Sequence, residues 1–391
     1  MASPAPTRAF AEPGWLAGRR VLVVLPSLEM GGAERQALLL ARHLQTEEGA
    51  ELEIWGLAKG EAVPARCEEV GIACRLVRTP WPRSGRGRLR VLARFAFELR
   101  RARPAVVLPY TMRPNVFCGL AWRLTGARLC VWNQRDEGRG EGVGRLWQRL
   151  AATATPRFVS NSRHGRDHLI STLGVEPGKI EHVTNGVLLE PARATRAEWR
   201  RRLGLDEETR VALMVANLHR NKDHATLLEA WRYVVEKYPS GTNRPVLLLA
   251  GRRGDTAELL EARALELGLG DHLRLLGSVN DISGLYRAAD LAVFSSRLEG
   301  CPNGVLEAMA SGLAVVGTDI PGICEALGEA GRPYLAAPGD AEALAERIVA
   351  LLNDAEARHR LGAHYETRIA ENFDPGASCR AMTELLERSI I

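Results

Sequence analysis

Residues 20–26, R-V-L-V-V-L-P, form an almost unbroken apolar run. A strand carries such a run when both faces of its sheet are covered, as in the centre of a parallel sheet. The run passes through S-L-E-M-G-G into residues 33–44, where positions 37, 40, 41 and 44 place apolar side chains on one helical face. The alternation then continues. Strand-like runs at 52–57, 73–77, 105–110, 129–133, 158–160 and 182–184 are separated by helical patterns at 87–101, 115–124, 143–151 and 162–173. Periodicity lapses over 188–194 and restarts with a helix at 196–203. Strands follow at 211–216, 246–250, 273–277, 291–294 and 314–317, with helices between them and three more closing the chain. Two successive blocks of this kind predict two doubly wound α/β domains. Such sheets bind ligands beyond the carboxyl ends of their strands, so two domains facing one another would set a cleft between those ends.

A length of 391 residues suits two domains, and 46% hydrophobic residues suffice for two cores. The expected division is a flexible tail over 1–18, a first domain over 19–187, a second over 188–374 and a terminal helix over 375–391. No apolar run approaches the roughly 20 residues needed to cross a bilayer. Seven scattered cysteines without a C-x-x-C point to a reducing, cytoplasmic setting. The net charge is only +5, and no nucleic-acid partner is expected. Its distribution is uneven. Between Arg75 and Arg103 ten arginines face one acid, Glu98, while Leu89, Leu92, Phe95 and Leu99 recur at helical spacing. A basic helix with an apolar stripe can rest on an anionic membrane surface. The stripe is expected to pack on the first domain's sheet; the arginines remain candidates for contact with a membrane or an acidic acceptor.

The chemistry is concentrated in residues 295–312, S-S-R-L-E-G-C-P-N-G-V-L-E-A-M-A-S-G. A strand runs into a tight turn and then into a helix start, whose first backbone N–H groups lack partners within the helix and attract anions. Glu299 and Glu307 flank this turn. Carboxylates near a helix start also gain from the macrodipole alone, but Glu307 lies a turn inside a small, apolar segment and there requires a polar partner. The loop at 217–223, N-L-H-R-N-K-D, gathers His219, Arg220 and Lys222 at another strand end. Such cations can neutralise a diphosphate; the same loop reads equally as a solvated turn with Asp223 capping the next helix. Met30-Gly31-Gly32 occupies the first strand-to-helix turn but is not a G-x-G-x-x-G, so no dinucleotide fingerprint is present. His164 and His168 are four apart on a helix without a further ligand nearby, which argues against zinc. Asn185-Gly186 reads as a turn before the linker.

Together, G-G-A-E-R after the first strand, N-G-V before the linker, L-Y-R-A-A-D, E-G-C-P-N-G-V-L-E-A-M-A-S-G and V-V-G-T-D-I-P-G resemble the family-four glycosyltransferases, retaining enzymes of the GT-B fold. The resemblance implies two Rossmann-like domains across a cleft, with the C-terminal helix returning to the first. It implies a nucleotide-sugar donor, UDP- ahead of GDP-, and a glycan or lipid-linked acceptor. Glu299 would contact the donor sugar, Glu307 the ribose, and the backbone of Gly300, Cys301, Pro302, Asn303 and Gly304 the sugar and diphosphate. Lys222 would balance the leaving diphosphate without a metal or other cofactor. Gly31 and Gly32 would approach the phosphates, and Val279 would line the base pocket. Two positions depart from the family pattern. Asn217 stands where an arginine is usual, with Arg220 the candidate to supply that charge, and Arg135 falls where many members carry a histidine. A nucleotide-sugar epimerase of the same fold and a non-catalytic sugar-nucleotide-binding subunit are the alternative functions. The expected location is cytoplasmic, peripheral at the inner face of the membrane.

Overall fold

The computed structural model describes residues 14–135, 142–238 and 244–390. The chain divides into two compact units, one formed by residues up to Val183 together with Gly376–Ile391, the other by Thr184–Pro375.

In the first unit, strands β1 (Arg20–Leu25), β2 (Glu51–Gly56), β3 (Ala73–Leu76), β4 (Val106–Pro109), β5 (Leu129–Gln134), β6 (Arg157–Ser160) and β7 (Ile180–His182) pair in parallel, in the order β3-β2-β1-β4-β5-β6-β7 among the described residues. The unbroken apolar run of β1 has a direct cause. Val21, Val23 and Leu25 enter one core with α1 (Gly32–Thr46), α2 (Ala62–Glu69) and α15 (Pro375–Ile390). Leu22 and Val24 enter the opposite core with α3 (Gly85–Ala102) and α4 (Met112–Ala121). Helices α5 (Arg145–Ala154) and α6 (Arg163–Ser171) join α4 in a further cluster under β5 and β6.

Two expectations change here, for the tail and for α3, while the terminal helix returns to the first unit as expected. Residues 14–18 form a turn with Leu16 fully buried, because a leucine beside an open core gains by leaving water. Residues 1–13 of the expected tail lie outside the described residues. On α3, Phe95 and Leu99 are buried and Leu92 half-buried, but Leu89 is exposed, so the inward stripe is shorter than its spacing suggested. The terminal helix α15 places Cys379, Met382, Leu385 and Leu386 in the first unit's core, and Arg388 pairs with Glu181 at 2.7 Å.

The second unit has the strand order β10-β9-β8-β11-β12-β13 among its described residues. These strands are β8 (Val211–Val215), β9 (Val246–Ala250), β10 (Leu273–Gly277), β11 (Leu291–Phe294), β12 (Val315–Thr318) and β13 (Leu335–Ala336). The order reverses between β8 and β11, where a doubly wound sheet opens a crevice at its carboxyl edge. The loop after β8 carries Lys222, the loop after β11 carries Glu299, and the helix that follows it carries Glu307. The helix α10 (Ile282–Ala288) precedes β11, α8 (His224–Glu236) follows β8, α11 (Asn303–Ala310) follows β11, and α12 (Pro321–Leu327) follows β12.

Candidate functional site

The loops after β8 and β11 are fastened together by their own polar groups. Ser295 Oγ donates to the Lys222 carbonyl at 2.9 Å, and Arg297 N donates to the Asn221 carbonyl at 2.9 Å. Arg297 Nε donates to Asp223 Oδ2 at 2.6 Å. Asp223 is left-handed (φ 47°), a conformation short polar side chains tolerate, and it caps α8 by accepting from Thr226 N at 3.4 Å and Thr226 Oγ1 at 2.7 Å. So fixed, the loop extends Lys222 onto Glu299, whose Oε1 accepts from Lys222 Nζ and from Ser296 Oγ, the latter at 2.7 Å. Neither charged group is fully in water: 29% of the lysine side chain and 13% of the glutamate's is exposed.

The turn Gly300–Cys301–Pro302 leads into α11, with Pro302 as its N-cap. Asn185, itself buried, donates through Nδ2 to Asn303 Oδ1 at 2.7 Å and to the Cys301 carbonyl at 3.3 Å. The N-G-V segment thus braces the helix start, a role its sequence did not reveal. Two glycines permit close approach. A Cβ at Gly304 would lie 2.6 Å from the Val215 carbonyl, and one at Gly322 would lie 2.3 Å and 2.5 Å from the Glu299 and Gly300 carbonyls. Helix α12 is thereby brought directly against the turn, while Thr318 Oγ1 donates to the Ser296 carbonyl. Glu307, one turn into α11, is buried.

Other residues named from the sequence fall elsewhere. Asn217 Oδ1 accepts from Arg252 N at 3.1 Å, tying the β8 loop to the one after β9. Arg220 is largely exposed, and its Nε lies 3.6 Å from Asp255, beside which His219 Nε2 also lies at 3.7 Å. Val279 is half-buried against the core of this unit.

Gly31, Gly32 and Arg135 belong to the first unit. Gly31 is the N-cap of α1, where a Cβ would lie 2.7 Å from Glu34 Oε2, and Gly32 is exposed. Arg135 Nη2 donates to Asn133 Oδ1 at 3.2 Å, and its guanidinium stands 5.1 Å from the centroid of the Tyr110 ring. Burial pushes the Tyr110 hydroxyl above its ordinary range, opposed by the neighbouring Arg135. Asn133 organises this strand edge: its Nδ2 donates to the Pro109 and Val131 carbonyls at 3.1 Å, and its carbonyl accepts from Thr111 N at 3.1 Å and Asn115 Nδ2 at 2.9 Å.

Residues 195–368 match the family described as Glycosyl transferases group 1, and residues 30–190 match Glycosyltransferase Family 4. The chain belongs to the family-four glycosyltransferases. A D-inositol 3-phosphate glycosyltransferase from Catenulispora acidiphila is 27% identical over 246 residues, 61% of this chain and 57% of the relative. The UDP-Gal:alpha-D-GlcNAc-diphosphoundecaprenol alpha-1,3-galactosyltransferase of Escherichia coli is 31% identical over 234 residues, 57% of this chain and 60% of the relative. The matches thus span less than two thirds of these relatives' lengths. Anabaena HepE in complex with UDP and glucose superposes with a TM-score of 0.81 at 20% identity, covering 95% of this chain and all of HepE. That likeness establishes the GT-B fold.

For a family-four glycosyltransferase, the chemical content of the second unit is specific. A lysine and a carboxylate are preset beside a helix start, and a second carboxylate is buried one turn further along. A cation and backbone N–H groups suit a diphosphate, while carboxylates accept hydrogen bonds from hydroxyls. The E-x7-E spacing was legible because both glutamates lie in one continuous turn-and-helix segment, Glu299 before the turn and Glu307 on α11. Asn185 and the Asp223–Arg297 clasp were not, since each is defined by partners distant in sequence, and Ser296 was not, since a serine three residues before a glutamate carries no signal until the turn brings them together.

Proposed function

We propose that the chain is a retaining glycosyltransferase that moves a sugar from a nucleotide-sugar, UDP- ahead of GDP-, to a hydroxyl of a glycan or lipid-linked acceptor. The observation that carries this reading is the Lys222–Glu299–Ser296 cluster at the strand-order reversal of the second unit. The HepE complex with UDP and glucose supports a UDP-sugar donor, and the E. coli relative's name supports a lipid-diphosphate-linked acceptor.

In this scheme the bond between the anomeric carbon and the β-phosphate oxygen breaks, and its electron pair leaves on the diphosphate. Lys222 and the N–H groups at the start of α11 stabilise that charge as it develops. The acceptor hydroxyl adds from the same face, and its proton passes to a phosphate oxygen of the leaving nucleoside diphosphate. Glu299 orients the sugar through its hydroxyls, and Glu307 holds the ribose. No metal is required for leaving-group stabilisation. Arg135 takes the position of the histidine found in many family members, and Arg220 adds positive charge to the β8 loop. The reaction takes place at the cytoplasmic face of a membrane, toward which the arginines between Arg75 and Arg103 are turned, in the synthesis of a surface polysaccharide or glycoconjugate.

The test is a panel of UDP-, GDP- and ADP-sugars, with nucleoside diphosphate release assayed with and without membrane lipid extract. The expected result is acceptor-dependent UDP release with the α-anomeric configuration of the donor kept in the product. Epimer formation without acceptor would replace this reading by an epimerase, and binding without turnover by a non-catalytic subunit.

A further inference from the structure

Exposed apolar side chains and unbalanced arginines fall on the same helical layer of the first unit, the one built from α3, α4 and α5. Of the large apolar residues the described chain leaves exposed, Leu89 (59%), Phe97 (59%), Leu124 (62%), Leu146 (68%) and Leu150 (49%) all belong to it or to the turn after α4. The inward stripe of α3 is accounted for by Phe95 and Leu99. At 100° per residue the opposite side of the same helix presents Leu89 and Phe97 beside Arg86, Arg90, Arg94 and Arg101, all exposed. Helix α5 repeats the combination, with Leu146 and Leu150 exposed beside Arg145 and Arg149. Helix α4, between them, is buried along nearly its whole length.

Among the described residues, carboxylates are scarce on α3, α4 and α5. Residues 70–135 contain fourteen arginines, no lysine and a single acid, Glu98, which is engaged by Arg75 at 3.3 Å. Arg86, Arg90 and Arg94 follow one another at i,i+4 spacing, where like charges weaken a helix in water. The opposite layer is balanced instead: Glu34, Glu68, Glu69, Glu384 and Glu387 on α1, α2 and α15 are matched by Arg35, Arg42, Arg66, Arg380 and Arg388 on the same helices. The excess of positive charge on the first unit's described helices therefore lies on the α3 side.

We propose that the outer surface of α3, the turn after α4 and α5 is a docking face for a bilayer containing anionic lipid. Arginines meet the headgroups, while Phe97, Leu89 and Leu146 enter the headgroup–acyl boundary. The proposal rests on the membrane-side reading above and extends it from the basic block to a two-helix surface with named inserting residues. Charge complementarity selects the lipid surface. A second copy would set arginines against arginines. A soluble polyanion would satisfy the arginines but leave the leucines in water.

The experiment is flotation of the full chain with phosphatidylcholine vesicles, with and without phosphatidylglycerol, across a salt series. The protein is expected to float only with the anionic vesicles. Arg90→Gln/Arg94→Gln is expected to lower the partition coefficient at least about tenfold. Phe97→Ser/Leu146→Ser is expected to bind at low salt but to release at a lower salt concentration than the parent. Failure of the parent to float at low salt overturns the proposal, as does flotation of both variants indistinguishable from the parent. Heparin binding insensitive to Phe97→Ser/Leu146→Ser, without flotation, would assign the face to a polyanion, and a dimer dissociated by that variant would assign it to a second copy. Because flotation requires no turnover, its loss with nucleoside diphosphate release intact counts against the docking face alone. Absent turnover with intact flotation counts against the transferase reading alone.

Discussion

Lys222 and Glu299, 77 residues apart in the chain, are joined as an ion pair, with Ser296 Oγ donating to the same carboxylate oxygen. Both side chains are therefore preset before a ligand arrives. A donor must exchange this contact for its own: diphosphate to the lysine, sugar hydroxyls to the glutamate. The exchange costs little if charge pairing is replaced by charge pairing, and much if either partner is absent.

Glu299→Ala is accordingly expected to lower kcat/KM for nucleoside diphosphate release at least about 100-fold, near 3 kcal/mol of transition-state stabilisation. Lys222→Ala should fall mainly in kcat, since its charge is needed most as the diphosphate leaves. Steady-state kinetics with a saturable donor separates the two. Unchanged turnover in either variant removes that residue from the mechanism.

Ser296→Ala leaves the ion pair in place but deletes one donor to Glu299 Oε1. A neutral donor to a charged acceptor contributes about 1.5–3 kcal/mol at most, part of it recoverable from water in an accessible site. A five- to tenfold rise in KM, roughly 1 kcal/mol, with kcat nearly unchanged is the expected pattern. A loss as large as that of Glu299→Ala would mean that Ser296 itself touches substrate.

The alternation of apolar runs specified both sheets because each strand of a parallel sheet must be apolar on two faces. The run 20–26 had to serve two cores, and it does. What stayed hidden depended on partners far away in the chain. Arg220 stood beside Lys222 in sequence, yet its near neighbour is Asp255 on the adjacent loop. Helix α12 escaped because it opens with Pro321-Gly322, a pair that reads as a turn; only the approach of Gly322 to the Glu299 carbonyl explains the glycine. On α3, the inward stripe was legible at Phe95 and Leu99, but Phe97 gave no sign of its exposure because a phenylalanine on an amphipathic helix ordinarily points inward.

Asn185→Ala should act through the helix start rather than through the substrate. It deletes the hydrogen bonds that Asn185 Nδ2 gives to Asn303 Oδ1 and to the Cys301 carbonyl in a largely buried setting. Such a deletion costs about 1–3 kcal/mol. The expected result is a lower denaturation midpoint together with weaker UDP binding by calorimetry. Equal UDP affinity in a destabilised variant would show that the brace serves stability alone.

His224 supplies the pH-dependent prediction. It opens α8 immediately after the Lys222–Asp223 pair, is 2% exposed, and neither ring nitrogen has a hydrogen-bond partner among the described residues. Burial first, and then the charge of Lys222, hold its pKa down to about 4, against the partial opposition of Asp223. Between pH 4 and the unfolded value near 6.5, the unfolded chain binds a proton at this site and the folded one does not. Stability is thus fully present above pH 6.5 and falls as the pH drops through this window, by up to about 3 kcal/mol. His224→Leu, which carries no proton and no unsatisfied nitrogen, should flatten that part of the profile. Chemical denaturation at pH 7.0 and 4.5 measures the difference, and parallel profiles for parent and variant would show that His224 is not the group responsible.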